Sequence, residues 1–207
     1  ETDKRMVRNR ITLLKKQLTK VELQASTRRK ARNGFVRITL IGYTNAGKSS
    51  LMNLLGKECV YAKNELFATV DSTVRKVVLN NLPFLLSDTV GFIRKLPHRL
   101  VDAFRATLEE TLVANLLLHV IDLSNPQFVE HMQTTLEVLD ELGAEDKEIL
   151  TVFNKIDLLE IDNLENLKLS QNCSDGDSVF LSCESGEGIP ELLQIIENKL
   201  GLTQQQR

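Results

Sequence analysis

The sequence predicts an α/β fold in which a mostly parallel sheet is flanked by helices and preceded by a basic helix. From Gly34 onward, short apolar runs alternate with helical segments, the pattern of strands joined by crossover helices. Residues 1–33 instead carry one helical stripe and a strong positive charge. A glycine-rich loop separates the first predicted strand from the helix that follows it. We therefore predict a basic helix over residues 1–33 and an α/β domain over residues 34–207.

Composition excludes several classes of protein. The 207 residues are 42% hydrophobic, which is enough to form one core. Uninterrupted apolar runs, such as residues 116–118, are far shorter than the roughly 20 residues of a membrane-spanning helix. No signal peptide is recognisable at the start, so we expect a cytoplasmic location and no integral membrane segment. Three cysteines without paired spacing argue against a disulfide framework.

The first 33 residues form an electrostatically distinct segment. They contain eleven Lys or Arg and three acids, hence a net charge of +8, and the rest of the chain carries −10. Apolar residues recur at alternating spacings of four and three, which predicts a heptad-patterned helix ending at Asn33-Gly34. Its charge suits contact with RNA phosphates, but a solvated helix face explains it equally well. The residues of the stripe are Val7, Ile11, Leu14, Leu18, Val21 and Ala25.

The α/β part divides into alternating elements. Apolar runs bounded by turn residues predict strands, and longer periodic segments predict helices, one of them with Pro126 in its first turn. The predicted strands are residues 35–41, 74–79, 84–86, 116–123, 149–153 and 179–182. The predicted helices are residues 48–55, 100–113, 126–142 and 189–200. Ligands of such sheets bind at the carboxyl ends of the strands.

Residues 42–49, which we call the phosphate loop, have the sequence GYTNAGKS and match the P-loop pattern in full. The loop lies directly after a predicted strand and opens a predicted helix, as phosphate binding requires. Lys48 can reach the β and γ oxygens of a polyphosphate, and the Ser49 hydroxyl can bind Mg²⁺. The nucleotide-binding residues predicted here are Asn45, Ala46, Gly47, Lys48, Ser49 and Ser50.

Asn154-Lys155-Ile156-Asp157 follows another predicted strand and predicts a guanine site. The Asp157 carboxylate can accept hydrogen bonds from N1–H and from the exocyclic amine of guanine, whereas ATP would leave it unpaired. The stem of Lys155 would cover the plane of the base, and Asn154 would tie this segment to the phosphate loop. An ATPase or a kinase is therefore disfavoured.

Ser182-Cys183-Glu184 follows the last predicted strand. Its backbone can offer an N–H group to O6 of guanine, and Cys183 is small enough to allow the base to approach. An ordinary strand-to-helix turn is the alternative explanation. We include Ser182, Cys183 and Glu184 among the predicted nucleotide-binding residues.

Asp88-Thr89-Val90-Gly91 follows the third predicted strand. Asp88 is expected to hold Mg²⁺ through water, and the Gly91 N–H is expected to contact the γ-phosphate. Thr69, in the preceding segment Leu66-Phe67-Ala68-Thr69, is the candidate second hydroxyl ligand of Mg²⁺, although Ser72 and Thr73 lie near it. We predict Lys48, Thr69 and Gly91 as catalytic groups, and Ser49, Thr69 and Asp88 as metal ligands.

These five motifs occur in the order of a translation-factor-type GTPase domain of the Ras-like P-loop fold. Residues 88–110, together with Gly42-Tyr43-Thr44-Asn45-Ala46-Gly47-Lys48 and residues 66–69, resemble the HflX family of ribosome-associated GTPases. The resemblance covers essentially the whole chain and includes the basic segment, which is similar to the helical linker before the family's GTPase domain. Small departures, such as Ser50 where Thr is usual, remove no required group.

The resemblance implies a wider function. Family members have an N-terminal domain before the part that corresponds to Glu1. They bind the large ribosomal subunit, through its rRNA and proteins, are stimulated by it, and split stalled or idle ribosomes. This chain resembles their catalytic half, with GTP as substrate, GDP as product and Mg²⁺ as cofactor. We expect a monomer.

Phe92 occupies the position after the Asp88–Gly91 motif, where many GTPases carry a Gln that orients the attacking water. A phenyl ring has no donor or acceptor for that task, so intrinsic hydrolysis is expected to be slow and to depend on a ribosomal partner. Packing of Phe92 in the core is the alternative.

Two further possibilities follow from the sequence. A GTP-switched RNA-binding or ribosome assembly factor, with the basic helix supplying affinity, is the competing function. The histidines His98, His119 and His131 share no ligand spacing, so we expect no metal site other than that of Mg²⁺.

Overall fold

A computed structural model describes residues 34–56, 73–80, 82–89, 91, 110–160, 164, 165, 167 and 178–205, with Arg10 and Thr12. Contacts divide the chain into two compact units, Glu1–Phe35 and Val36–Arg207. Of the first unit, Arg10 and Thr12 are helical. The rest of the predicted basic helix lies outside the described residues, so its extent stays a prediction. All elements below belong to the second unit.

The second unit contains strands that alternate with helices, and the predicted α/β class is confirmed. The strands are β1 Val36–Ile41, β2 Thr73–Leu79, β3 Leu82–Asp88, β4 Leu116–Asp122, β5 Glu148–Asn154 and β6 Ser178–Phe180. The helices are α1 Lys48–Leu55, α2 Phe128–Glu141 and α3 Ile189–Gln205, with a 3-10 turn at Ile156–Leu158. Within the described residues, no helix is both long and apolar enough to cross a membrane.

The strands form one sheet in the order β2-β3-β1-β4-β5-β6. Strand β2 is antiparallel to β3, and every other pair is parallel. The register places Leu40 opposite Asp88, and Asp122 opposite Asn154. The carboxyl ends of β1, β3, β4 and β5 therefore meet at one edge of the sheet, and that edge carries the predicted motifs.

The core explains why β4 is apolar along nearly its whole length. Leu116, Leu118 and Val120 belong to a cluster that includes side chains of α1 and α3, whereas Leu117 packs with Leu139 of α2. Helices thus cover both faces of the strand, as in other parallel sheets. Each fully buried leucine contributes about 1.5–3 kcal/mol relative to an exposed one.

Some element boundaries differ from the prediction. Helix α2 begins at Phe128, and Pro126 lies in the turn before it. In that turn, Asn125 Oδ1 accepts the Gln127 N–H at 2.9 Å and the Asn125 carbonyl accepts the Phe128 N–H at 3.0 Å. Of the predicted helix over residues 100–113, the described positions 110–112 are helical.

The ends of three strands also differ. Strands β3 and β5 extend through Asp88 and Asn154, because both residues still pair with neighbouring strands. Strand β6 ends at Phe180, two residues before Ser182. Asp88 and Asn154 are therefore the last residues of their strands, whereas Ser182 lies in a loop.

Candidate functional site

The phosphate loop owes its shape to backbone conformations that most residues avoid. Gly42, Asn45 and Gly47 have φ angles of 139°, 63° and 99°. A Cβ atom on Gly42 would overlap the carbonyl oxygen of Val120, and one on Gly47 would overlap Nδ2 of Asn154. Glycine is required at both positions by conformation and by space.

The side chain of Lys48 lies inside this loop. It is only 6% exposed, and its Nζ donates hydrogen bonds to the carbonyls of Gly42 at 3.0 Å and Tyr43 at 2.8 Å. Burial lowers the pKa of Lys48 to about 8, an effect that the nearby Asp88 carboxylate partly opposes. Burial destabilises the protonated form of this lysine because it removes the charge from water. A bound anion stabilises the protonated form again by balancing its positive charge.

The predicted metal ligands Ser49 and Asp88 are brought together. The Ser49 hydroxyl donates to Asp88 Oδ2 at 2.6 Å, and Asp88 is 2% exposed. A hydroxyl and a carboxylate in contact fit Mg²⁺, which prefers oxygen ligands. The third predicted ligand, Thr69, lies outside the described residues.

Gly91 lies against the phosphate loop. A Cβ at Gly91 would be 2.6 Å from the Cα of Thr44, so the two backbones are in close contact. The segment between Asp88 and Gly91 is anchored by Thr89, whose hydroxyl donates to the Leu40 carbonyl at 2.7 Å. The described ends of the Asp88–Gly91 motif therefore flank the loop on the side of β3. Phe92 lies outside the described residues.

Asn154 connects the two halves of the site. It is 1% exposed, its Nδ2 donates to the Ala46 carbonyl at 2.9 Å, and its Oδ1 accepts the Cys183 N–H at 3.2 Å. The tie to the phosphate loop that the sequence predicts is thus present. The sequence did not reveal the second bond, which attaches the Ser182–Glu184 segment to the same side chain.

The Asn154–Asp157 segment turns sharply after β5. Lys155 has a left-handed backbone with φ of 67°, and its Nζ forms an ion pair of 2.6 Å with Asp122 Oδ2. Asp157 follows in the 3-10 turn and is exposed. Burial and, next, the Asp157 carboxylate raise the pKa of the Cys183 thiol to about 12. Asp157 and Cys183 are therefore neighbours, as a shared base site requires.

Ser182 shapes the last loop. It is fully buried, and its hydroxyl oxygen accepts the N–H groups of Glu184 at 3.2 Å and Ser185 at 3.1 Å. These bonds curl the chain so that Cys183 is only partly buried between Ser182 and Glu184. The remaining predicted residues lie on the phosphate side: Asn45 is exposed in the loop, Ala46 is buried beneath it, and Ser50 is half-buried in α1.

A cavity of about 140 Å³ lies between the phosphate loop, the end of β4 and α2. His119 and His131 both line it, and the ring of His131 stacks on Tyr43 with centroids 3.7 Å apart. Burial and the nearby Lys48 charge lower the pKa of His119 to about 4, so the ring is neutral at pH 7. Within the described part of the chain, no cluster of three or more His, Cys, Asp or Glu could hold a metal.

Sequence reasoning missed this cavity because its walls come from three separate segments. The available signals were a histidine inside the otherwise apolar β4 and an aspartate at its end.

Comparisons with known proteins agree with this geometry. A family model described as 50S ribosome-binding GTPase matches residues 37–155, more than half of the chain. A protein named GTPase HflX from Flavobacterium psychrophilum is 55% identical over 76% of this chain and 38% of its own length. Another, from Magnetococcus marinus, is 46% identical over 97% of this chain and 46% of its own length. The chain spans less than half the length of these curated relatives.

A solved structure has the same fold. The GTP-binding protein from the hyperthermophilic archaeon Sulfolobus solfataricus in complex with GDP matches with a TM-score of 0.66 and 28% identity. The match covers 95% of this chain and 58% of that one. The predicted Ras-like P-loop fold is confirmed.

Proposed function

Since the chain belongs to the family of 50S ribosome-binding GTPases and is of the HflX type, we propose that its site binds GTP and hydrolyses it to GDP and phosphate with Mg²⁺. The phosphates lie in the loop of residues 42–49, and the guanine lies between the Asn154–Asp157 and Ser182–Glu184 segments.

The observation that carries this proposal is the position of Asn154. Its side chain is bonded both to the phosphate loop and to the loop of Cys183. The phosphate loop and the Ser182–Glu184 segment are thereby held to the same side chain, and Asp157 follows that residue by three positions. The carboxylate accepts two hydrogen bonds from guanine, whereas adenine has an acceptor at N1 and no 2-amino group.

Each group of the phosphate side has a role in hydrolysis. Lys48 and the loop amides stabilise the negative charge that develops on the β and γ oxygens. The Gly91 N–H and Thr69 contact the γ-phosphate side of the substrate. Ser49, Thr69 and Asp88 would hold Mg²⁺, which neutralises charge on the β- and γ-phosphates.

The proposed cellular role is that of a ribosome-associated splitting or rescue factor, in the cytoplasm and as a monomer. The matched family, whose description is 50S ribosome-binding GTPase, supports a ribosomal partner. Phe92 in place of a water-orienting Gln supports slow intrinsic turnover that rises on the large subunit. The net charge of +8 on residues 1–33 favours a second candidate, a GTP-switched RNA-binding or ribosome assembly factor.

Base selection gives the sharpest test of the nucleotide assignment. We would measure the Kd of GTP, ATP and xanthosine triphosphate for the unaltered chain and for Asp157→Asn. Xanthine carries a carbonyl at C2 where guanine carries an amine, so an Asn amide suits xanthine and a carboxylate suits guanine. We expect at least about 100-fold preference for GTP over ATP in the unaltered chain, and a reversal between GTP and xanthosine triphosphate in the variant. Equal affinity for GTP and ATP would contradict the proposal.

Turnover tests the ribosomal part separately. GTP hydrolysis is measured with and without purified large subunits, beside Lys48→Ala as the inactive control and Phe92→Gln as the probe of water orientation. Turnover that rises with subunits supports the splitting or rescue factor. For the RNA-binding alternative, steep salt dependence of RNA binding that disappears on deletion of residues 1–33 is the expected result.

A further inference from the structure

We propose that Asp122 is a positioning residue of the base site, which fixes the Lys155 ammonium so that the Lys155 stem is preset to cover the nucleotide base. The inference rests on the proposed function, since it concerns the same guanine site. It adds a residue that belongs to none of the five motifs and that acts through Lys155.

The backbone places the two side chains side by side. Asp122 is the last residue of β4 and lies opposite Asn154, the residue before Lys155. The pairing continues beyond the strand, because the Leu123 N–H donates to the Asn154 carbonyl at 3.0 Å. The ion pair between Asp122 and Lys155 therefore joins two segments whose relative position is already fixed by the sheet.

The carboxylate of Asp122 is itself fixed. Its Oδ1 accepts hydrogen bonds from the Ser124 N–H at 3.0 Å and from the Ser124 hydroxyl, while its Oδ2 accepts from Lys155 Nζ at 2.6 Å. The side chains of Asp122 and Lys155 are 14% and 24% exposed. A partly buried pair with one partner held by two further bonds is less mobile and less screened than a surface pair.

This arrangement reduces the cost of ordering Lys155 when a nucleotide binds. A lysine without this ion pair would lose its rotamer freedom on covering the base, which weakens binding by roughly two- to twelvefold. With its ammonium already held by Asp122, the stem loses little on binding. The benefit applies equally to ground state and transition state, so it changes KM and leaves kcat unaltered.

If Asp122 acts only through the Lys155 stem, its effect on affinity should not depend on which groups the base carries at its ring edge. A stem that covers the ring plane contacts guanine and hypoxanthine alike, whereas Asp157 distinguishes them through the 2-amino group. Loss of Asp122 should weaken GDP and inosine diphosphate by the same factor.

The test is Asp122→Asn, which keeps the shape of the side chain and removes the charge. We expect the Kd of GDP and the KM of GTP to rise roughly two- to twelvefold, with kcat within about twofold and the ratio of GDP to inosine diphosphate affinity unchanged. Asp146→Asn, an exposed acid beyond the end of α2, is the matched control and should bind GDP like the unaltered chain. A changed affinity ratio would show that Asp122 acts on base edges and would overturn the proposal.

A double-mutant cycle isolates the coupling to Lys155. Lys155→Met keeps an unbranched apolar stem and removes the ammonium. In that background Asp122→Asn should add less than about 1.5-fold, because the pair no longer exists. The same loss in both backgrounds would overturn the proposal.

Two further outcomes separate the proposals from each other. Absence of GDP binding by the unaltered chain would overturn the proposed function and this inference together. Normal GDP binding by the unaltered chain with an unchanged Kd in Asp122→Asn would overturn this inference alone. If Asp122→Asn does not fold, Ser124→Ala replaces it, with an expected rise in Kd of about two- to threefold and no change as the contrary result.

Discussion

The phosphate loop and the two loops that we propose bind the base, residues 154–157 and 182–184, lie at the same edge of the sheet but are fixed by different means. The phosphate loop is shaped by its backbone, with glycines at positive φ angles and neighbours that leave no room for a Cβ. The base loops are fixed by side chains, chiefly Asn154 between them and Ser182 inside one of them. A single substitution at a glycine of the phosphate loop should therefore disturb the conformation of the whole loop. A substitution in the other two loops should remove individual hydrogen bonds and leave the rest in place.

Among the residues of both regions, Lys48 is expected to affect activity the most when it is replaced. Lys48→Met removes the cation that we propose stabilises charge on the phosphates, so GTP turnover should fall about 10³-fold, or roughly 4 kcal/mol. Stability should change in the opposite direction. Because burial lowers the pKa of Lys48 to about 8 in the folded state, the charged side chain destabilises the empty protein at neutral pH.

The stability gain of Lys48→Met should therefore be largest below pH 8 and fade as the pH rises from 8 toward 10.5, where the unfolded lysine also loses its proton. Urea unfolding at pH 7 and pH 10 measures this difference. A variant that is less stable than the unaltered chain at pH 7 would contradict it.

Replacement of a glycine tests whether the backbone shapes the phosphate loop. In Gly42→Ala the new Cβ meets the Val120 carbonyl at a φ of 139°, and we expect a loss of roughly 3–4 kcal/mol in the free energy of unfolding. Gly143→Ala is the matched control, since Gly143 also has a positive φ but no atom within 4 Å of a Cβ. It should lose about 1 kcal/mol, for the backbone alone. Equal losses in the two variants would show that the close contact between Gly42 and β4 does not contribute to the stability of the loop.

Low pH should destabilise the folded protein because His119 must take up a proton. The folded pKa is lowered to about 4 from 6.5, so the unfolded chain takes up this proton first as the pH falls. The neutral ring of His119 makes its full contribution to the free energy of unfolding above pH 6.5. About 3 kcal/mol of this contribution is lost as the pH falls to 4. His119→Gln should lose less stability than the unaltered chain between pH 7 and pH 4.5. Parallel losses in the two proteins would exclude this histidine as the cause.

The smallest expected effect belongs to the base side. Asn154→Ala breaks the bonds to the Ala46 carbonyl and the Cys183 N–H and should cost about 2 kcal/mol of unfolding free energy. GDP affinity should fall while the loop of residues 42–49 keeps its shape. Calorimetric titration with GDP and with inorganic pyrophosphate distinguishes the two sides. If pyrophosphate binding falls as much as GDP binding, the two halves are not separable.

Local patterns predicted the parts of the molecule that local chemistry determines. The bounds of α1 are those predicted, because the phosphate loop fixes where a helix can start, and β1 and β4 agree within one residue because they are apolar on both faces. The longer β3 and β5 could not be foreseen, since Asp88 and Asn154 pair with strands far away in the sequence.

The candidate site shows the same contrast between residues that local motifs predict and contacts that depend on long-range strand pairing. Motif spacing predicted Lys48, Ser49 and Asp88, and the structure brings the last two within 2.6 Å. The ion pair of Asp122 with Lys155, residues 33 apart, depends on the register of β4 with β5 and had no counterpart in any motif. Strand β2 was predicted, but its edge position and antiparallel pairing were not, because periodicity does not give strand order. Thr69, Phe92 and the basic helix remain predictions.

The central place of β1 in the sheet has a consequence for how the protein opens. Strand β1 is paired on both sides, and Ile38 and Leu40 are fully buried, so its amide hydrogens should exchange with solvent only through global unfolding. The phosphate loop continues directly from this strand, starting at Gly42. We therefore expect the empty protein between two turnovers to keep a preformed cradle, so that nucleotide exchange proceeds without local refolding of the loop.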